Sequence, residues 1–482
     1  MSDSSGADRS QKVRGEATLF GHPPGFTFLF GTEMWERFSY YGMRSLLILY
    51  MIDYLLKPDK AANVLGLDGL RHGLESIFGP LTDQSFASQI YGFYTGFAYL
   101  TPILGGLLAD RVIGRTATVL LGASLMVLGH FLMAFDHLFL VALVLLTIGV
   151  GTFKPNVTTQ VGELYKPGDR RIDRAYSVFY VGINIGAFFS PLVCGYLGER
   201  VAWQYGFISA GVGMAIGMAT YLIGLPHLPK ADAQSPRAEP DEATRSQTRA
   251  SFLSLFLLFI PSALFWAAYE QQGNTIAIWI HESVNRETNL GFWKGEIPVS
   301  WFQSINPILI FILTPMLIAC WSYFARRGRE PTTIGKLVTG LVLLSLSFVT
   351  AAAIAWLSGS HQPSWMWLMI YFVLLTLAEL HFSPIGLSLM SSIAPGNSRS
   401  SLIAVWFTSN FFGNIIAGSL GALWPKFSNP AFFLIIAGLG AIAVLFTLAV
   451  RPLLIRTLAR QQARIITSGS QRPRRSIPRP RR

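Results

Sequence analysis

Charge is scarce in this chain. Only 13% of its 482 residues are Asp, Glu, Lys or Arg, far below the quarter usual for a soluble globular domain. Two cysteines, Cys194 and Cys320, lie in apolar segments with no metal-ligand or disulfide spacing, so both are expected to be small packing residues. No Gly-x-x-x-x-Gly-Lys-Ser/Thr loop is present to hold a nucleotide, and no paired-Asp site or nucleophile–base pair suggests an enzyme. The N-terminus stays polar to about Gly25, without the short apolar core and small-residue cleavage site of a removable signal peptide. No cofactor or metal is expected. What is abundant is apolar: 51% hydrophobic residues, 13% aromatics and 45 glycines describe a chain that crosses a bilayer many times.

Twelve apolar segments approach the ~20 residues that a span requires. They fall near 27–54, 85–109, 115–136, 138–160, 173–197 and 202–225, then 251–280, 298–324, 333–357, 364–392, 398–424 and 429–450. Between the sixth and seventh, residues 226–250 are rich in Pro, Ala and charge and read as a flexible linker. The expected organisation is a tail (1–26), a six-helix bundle (27–225), the linker, a second bundle (251–450) and a basic tail (451–482). Roughly 28 of the 38 Lys and Arg fall in one alternating set of loops and termini, which places both termini in the cytoplasm of an inner-membrane protein. The net charge of +12 and the Arg-rich end therefore read as a disordered topogenic or lipid-facing tail rather than a nucleic-acid site.

Within the first span the stretch EMWERFSYYGMR, Glu33 to Arg44, breaks the apolar pattern. Glu33, Glu36, Arg37, Tyr40, Tyr41 and Arg44 follow i, i+3, i+4, i+7, i+8, i+11 and share one helix face. An ionised side chain at mid-bilayer costs ~2.5–3.5 kcal/mol, so such groups face protein or water and mark a pathway. The fourth span carries Lys154 before Pro155, the seventh Glu270, and the tenth Glu379 with Ser383 one turn on. Arg44 and Glu270 each lie about 26–29 Å along their helices from the cytoplasmic side, matching depths for an external gate closed by a salt bridge. Trp266 and Trp406 are placed to close a side-chain pocket, with packing as the alternative, and His381 reads as a satisfied interhelical histidine. DGLRHGLESIF, within the first outer loop, reads as a short amphipathic surface helix.

Glu-x-x-Glu-Arg-Phe-x-Tyr-Tyr-Gly in the first span resembles the first-helix motif of the proton-dependent oligopeptide transporters, a branch of the major facilitator superfamily. GGLLADRVIGR resembles the superfamily's loop signature, and Lys154-Pro155-Asn156 and FYVGINIGAF match the same family. The resemblance implies an all-α integral membrane fold, twelve transmembrane helices in two pseudo-symmetric six-helix bundles. It further implies peptide contacts from Arg37, Tyr41, Tyr94, Lys154, Asn184, Trp266, Asn306, Glu379, Ser383 and Trp406. Glu33, Glu36 and Glu270 would couple protons, and Arg44, Glu270, Lys154 and Glu379 would gate. Gly92 stands where animal members carry a proton-coupling histidine, so coupling through that histidine is not expected.

A short peptide is a zwitterion, and a site for many peptides must clamp both ends while leaving the middle loose. Arg37 and Lys154 suit the carboxylate, and Glu379 with Asn306 suits the amine. The expected function is proton-coupled import of di- and tripeptides by alternating access in a monomer, with nitrate or another small anion as the alternative cargo.

Overall fold

The computed structural model describes residues 21–166, 169–229, 257–289, 291, 294–393 and 399–470. Among them run twelve long helices: α1 (Pro24–Tyr50), α2 (Asp83–Leu108), α3 (Arg115–Leu132), α4 (Phe139–Glu163), α5 (Arg171–Arg200), α6 (Trp203–Gly224), α7 (257–269, resuming at Thr275–Ser283), α8 (Ile305–Arg326), α9 (Thr333–Ser358), α10 (Leu368–Ile393), α11 (Arg399–Gly421) and α12 (Asn429–Ser470). Nine helices among the described residues are long and apolar enough to cross a membrane by length and composition. α1 is absent from those nine, as its four charges dictate, and α7 is interrupted.

Within the first half, α1 packs on α5 and α6, α3 on α4 and α6, and α2 on α4; within the second, α9 packs on α10 and α12, and α8 on α10. The halves meet mainly where α2 lies along α11 and where α5 meets the 3₁₀ turn Val299–Ser304 before α8. The α2–α11 seam is tight because it is built on glycine. A Cβ on Gly92 would come within 2.7 Å of the Asn414 carbonyl oxygen and the Gly418 Cα. No histidine fits there, which gives Gly92 a packing reason of its own. Gly92→Ala should lose about 1–3 kcal/mol by overpacking this seam. A lowered melting temperature in detergent is the expected reading, and an unchanged one would mean the two helices part at no cost.

Three expectations need correction or bounding. The seventh span is broken at Asn274, whose φ of −115° and ψ of −98° divide α7 after the 3₁₀ turn Glu270–Gly273. The last helix runs past its expected end at 450: α12 continues to Ser470, through the first part of the segment read as the basic tail. Leu453, Leu454 and Ile455, followed by Arg, Gln and Ala, are helix formers, and Arg451 ends the apolar run without ending the helix. Residues 230–250 of the linker and 471–482 of the tail lie outside the described residues. The surface helix is present as Leu67–Phe78, with Leu67 and Leu74 turned inward and His72 exposed.

Candidate functional site

α1 is almost wholly enclosed, and its charged stripe is enclosed with it. Glu33, Glu36 and Arg37 are each 3% exposed or less. The Arg37 guanidinium donates through Nε to Glu33 Oε1 at 3.0 Å, and the same Nε lies 2.6 Å from Glu36 Oε2. The Glu36 contact is close in distance, yet neither Glu36 oxygen completes a hydrogen bond of acceptable geometry, and Arg37 Nη2 and Glu33 Oε2 are likewise unpartnered among the described residues. A buried cation with a spare donor is costly unless something else supplies the acceptor. Lys154 on α4 is half-buried, with Nζ 5.2 Å from the Tyr99 ring centroid and the Glu33, Glu36 and Arg37 charges within electrostatic reach.

Across the molecule, Glu379 on α10 is half-buried. Its Oε2 accepts from the Tyr269 hydroxyl at 2.7 Å and from Asn306 Nδ2 at 2.9 Å. Asn306 also donates to Thr376 Oγ1 at 3.2 Å, which leaves its own carbonyl oxygen as an acceptor. Lys154 and Glu379, both assigned to gating, are not within ion-pair distance of each other: the carboxylate is held by α7 and α8 instead. Tyr41 connects the two sides. Its hydroxyl lies within electrostatic reach of Arg37, Arg44, Glu270 and Glu379 together.

The expected ion pair between Arg44 and Glu270 is formed. Arg44 Nη2 donates to Glu270 Oε2, both groups buried, and Arg44 Nε donates to the Tyr91 hydroxyl at 2.8 Å. Gly273 makes room for it, since a Cβ there would lie 2.1 Å from the Tyr91 oxygen. Around this pair the halves are stitched by Ser88 to Asn274 at 2.8 Å, Ser85 to the Ala422 carbonyl at 2.7 Å, Ser304 to the Phe188 carbonyl at 2.7 Å, and Trp301 Nε1 to the Leu192 carbonyl at 3.1 Å. Glu199 accepts from the backbone N–H groups of Val299 and Ser300, both at 2.8 Å. Every one of these contacts lies in the halves of the helices remote from the chain termini. The molecule is closed at the end away from its termini.

The remaining expected residues are placed as follows. Asn184 is buried and donates to its own helix at the Tyr180 carbonyl, 2.9 Å. Tyr94 is buried and stacked on Tyr40 with ring centroids 6.5 Å apart. Trp266 and Trp406 are buried members of one aromatic row: Trp266 meets Phe265 edge-on, Phe265 stacks on Phe382 at 4.1 Å, and Phe382 stacks on Trp406 at 6.0 Å. Trp266 Nε1 is unpartnered among the described residues. Ser383 is half-buried. His381, expected to be satisfied between helices, donates from Nδ1 to the Leu377 carbonyl of its own helix at 2.8 Å, and only its edge-on ring contact with Trp321 of α8 is interhelical. Tyr269, Thr376 and Tyr180 were not anticipated. Tyr180 lies within electrostatic reach of Glu379 from the opposite half. For Tyr269 the available signal was its place next to Glu270, hidden because consecutive helical residues point apart.

Two helical bundles sealed at one end around buried ions of both signs define a secondary-transporter architecture. The chain belongs to the POT family, which matches residues 116–239 and 236–435. It is 31% identical to the peptide transporter YePEPT of Yersinia enterocolitica over 94% of this chain and 99% of that one. It is 29% identical to a di-/tripeptide transporter of Lactococcus lactis subsp. cremoris, over 92% and 98%. Among solved structures it resembles the peptide transporter POT in complex with sulfate, with a TM-score of 0.75, 30% identity and coverage of 92% and 97%. A POT family transporter in complex with a thioalcohol-conjugated peptide gives a TM-score of 0.76 at 26% identity, covering 90% and 98%. The chain is a multi-pass membrane transporter and not an enzyme.

Proposed function

We propose that this chain imports di- and tripeptides together with protons, its halves 27–225 and 251–450 rocking about a shared chamber. The observation that carries this reading is the placement of unspent hydrogen-bonding capacity. Arg37 Nη2 is buried without an acceptor in one half, and a half-buried carboxylate, Glu379, stands opposite with an amide carbonyl beside it. A peptide carboxylate completes Arg37 and draws on Lys154; a peptide ammonium completes Glu379 and Asn306. A ligand held by both halves biases their rocking. Tyr41, Asn184 and the Trp266–Trp406 row border the space left for side chains, with Tyr94 behind Tyr40 supporting the first-helix stripe.

Proton coupling follows from carboxylates that change partners. Burial alone favours the neutral carboxyl, and an adjacent cation favours the charged form. Glu33 and Glu36 share Arg37 with the peptide, and Glu270 shares its state with Arg44, so binding and rocking alter proton occupancy at both places. With both termini cytoplasmic, the sealed end faces outward. Nitrate is the weaker reading, since an inorganic anion has no use for a carboxylate held ready by Tyr269 and Asn306.

Labelled dialanine uptake into proteoliposomes tests this. It should accumulate when the outside is acidic, collapse with a protonophore, and be displaced by tripeptides but not by nitrate or free amino acids. Displacement by nitrate, or indifference to the gradient, would overturn it.

A further inference from the structure

Arg44–Glu270 has a second bridge above it on the same two helices. Asp53 lies nine residues beyond Arg44, about 13 Å further toward the sealed end, inside the π-helical turn Met51–Leu55 that ends α1. Its Oδ2 is 3.2 Å from Nε2 of His281, in the second piece of α7 beyond the Asn274 break. The inner pair is dry, at 8% and 1% side-chain exposure; the outer pair is wet, at 38% for His281 and 31% for Asp53. The other charges facing His281 are Glu199 from the end of α5, Arg286 from the following loop, and its helix neighbour Glu282. Arg286 is engaged by Glu296 at 2.6 Å and by the Ile297 carbonyl, and Glu199 by two backbone N–H groups. Asp53 is the carboxylate in direct contact with the imidazole.

We propose that His281 and Asp53 form a second, water-facing latch whose response to protons is opposite in sign to that of Arg44 and Glu270. The proposal rests on the gate reading of the inner pair. A proton on Glu270 removes the charge that holds Arg44 and loosens the closed end. A proton on His281 creates the charge that holds Asp53 and tightens it. Histidine ordinarily titrates near 6.5, and a carboxylate partner favours the protonated ring. The latch is therefore complete in acid and is lost as the pH rises through the titration of His281 in the closed state. Opening toward the outside is then confined to a window: acid enough to neutralise Glu270, not so acid that His281 stays clamped.

The test reads the distance between spin labels on Leu65 and Ser360, exposed positions in the outer loops of opposite halves. Exposed Cys320 is replaced by Ser and buried Cys194 kept. In Glu270→Gln protein the inner pair no longer titrates, so the part of the remaining pH response that His281→Asn removes belongs to the rim. Lowering the pH from about 8 to 5.5 should cut the outward-open fraction about two- to five-fold, the range of an exposed ion pair. His281→Asn or Asp53→Asn in that background should flatten the response. Superimposable profiles with and without His281, or a response of opposite sign, would overturn the latch. Failure of the gate reading shows separately, as no rise in the outward-open fraction of Glu270→Gln over the wild type at pH 8. In that event His281→Asn against the wild type across the same pH range decides the latch alone.

Discussion

Glu270→Gln should abolish proton-driven peptide accumulation while leaving peptide exchange intact. The carboxylate is 1% exposed and its partner Arg44 is buried with it, so the glutamine variant leaves a guanidinium in a dry site with an amide oxygen and the Tyr91 hydroxyl but no counter-charge. Removing one member of a buried pair costs about 3–5 kcal/mol. At about 1.4 kcal/mol per tenfold, that weakens closure of the outer end by about two to three and a half orders of magnitude. The cost falls on the state that has the pair, not on the open state where water reaches Arg44. Exchange needs only that a loaded carrier cross in both directions, and the central groups are untouched. Accumulation needs the empty carrier to return with its proton count set, and that step loses its titrating group. Counterflow of labelled dialanine near the wild-type rate, with no accumulation under an acid-outside gradient, is the expected pair of measurements. Full gradient-driven accumulation by the variant would remove Glu270 from proton coupling.

The stripe on α1 was legible because a helix repeats every 3.6 residues and six polar residues keep that beat through an apolar segment. Arg44 and Glu270 were legible as a pair because depth along a helix can be counted from sequence, and opposite charges at equal depth in opposite halves are rarely idle. What sequence withheld has physical causes. The break at Asn274 has no proline to announce it; it is fixed by tertiary bonds, Asn274 accepting from Ser88 across the seam. Tyr269 and Asn306 reach Glu379 from two other helices, and no spacing rule links α7, α8 and α10. Asp53 and His281 each look like surface polars at the end of a span, and only the packing of α1 against the second piece of α7 brings them together. Lys154 and Glu379 stand apart because Glu379 is held within its own half by Tyr269 and Asn306, which no reading of the fourth and tenth spans alone supplies. The last helix outruns 450 for a simpler reason, since a charge ends a hydrophobic run without ending a helix.

The second large effect belongs to Glu379. Glu379→Gln should weaken binding of dialanine by at least about 30-fold and leave binding of N-acetyl-dialanine little changed. The carboxylate sits at the junction of Tyr269, Asn306 and, through Asn306, Thr376, so its position is set before any peptide arrives. A peptide ammonium placed against it adds a charge-assisted bond in a confined site. Truncating one partner of such a pair costs about 2–5 kcal/mol, which is about 30-fold or more in Kd. The acetylated peptide has no ammonium and loses nothing when the carboxylate becomes an amide, so the ratio of the two affinities isolates the charge from the shape. Tyr269→Phe provides the graded companion: it removes one donor from the carboxylate but keeps the ring in its stack with Phe265, and a hydrogen bond to a charged group is worth about 1.5–3 kcal/mol. Its penalty for dialanine should be smaller than that of Glu379→Gln, and again absent for the acetylated peptide. Competition against labelled dialanine by purified protein gives both affinities. Equal loss for the free and acetylated peptides would assign Glu379 to holding α7, α8 and α10 together rather than to recognising the amine.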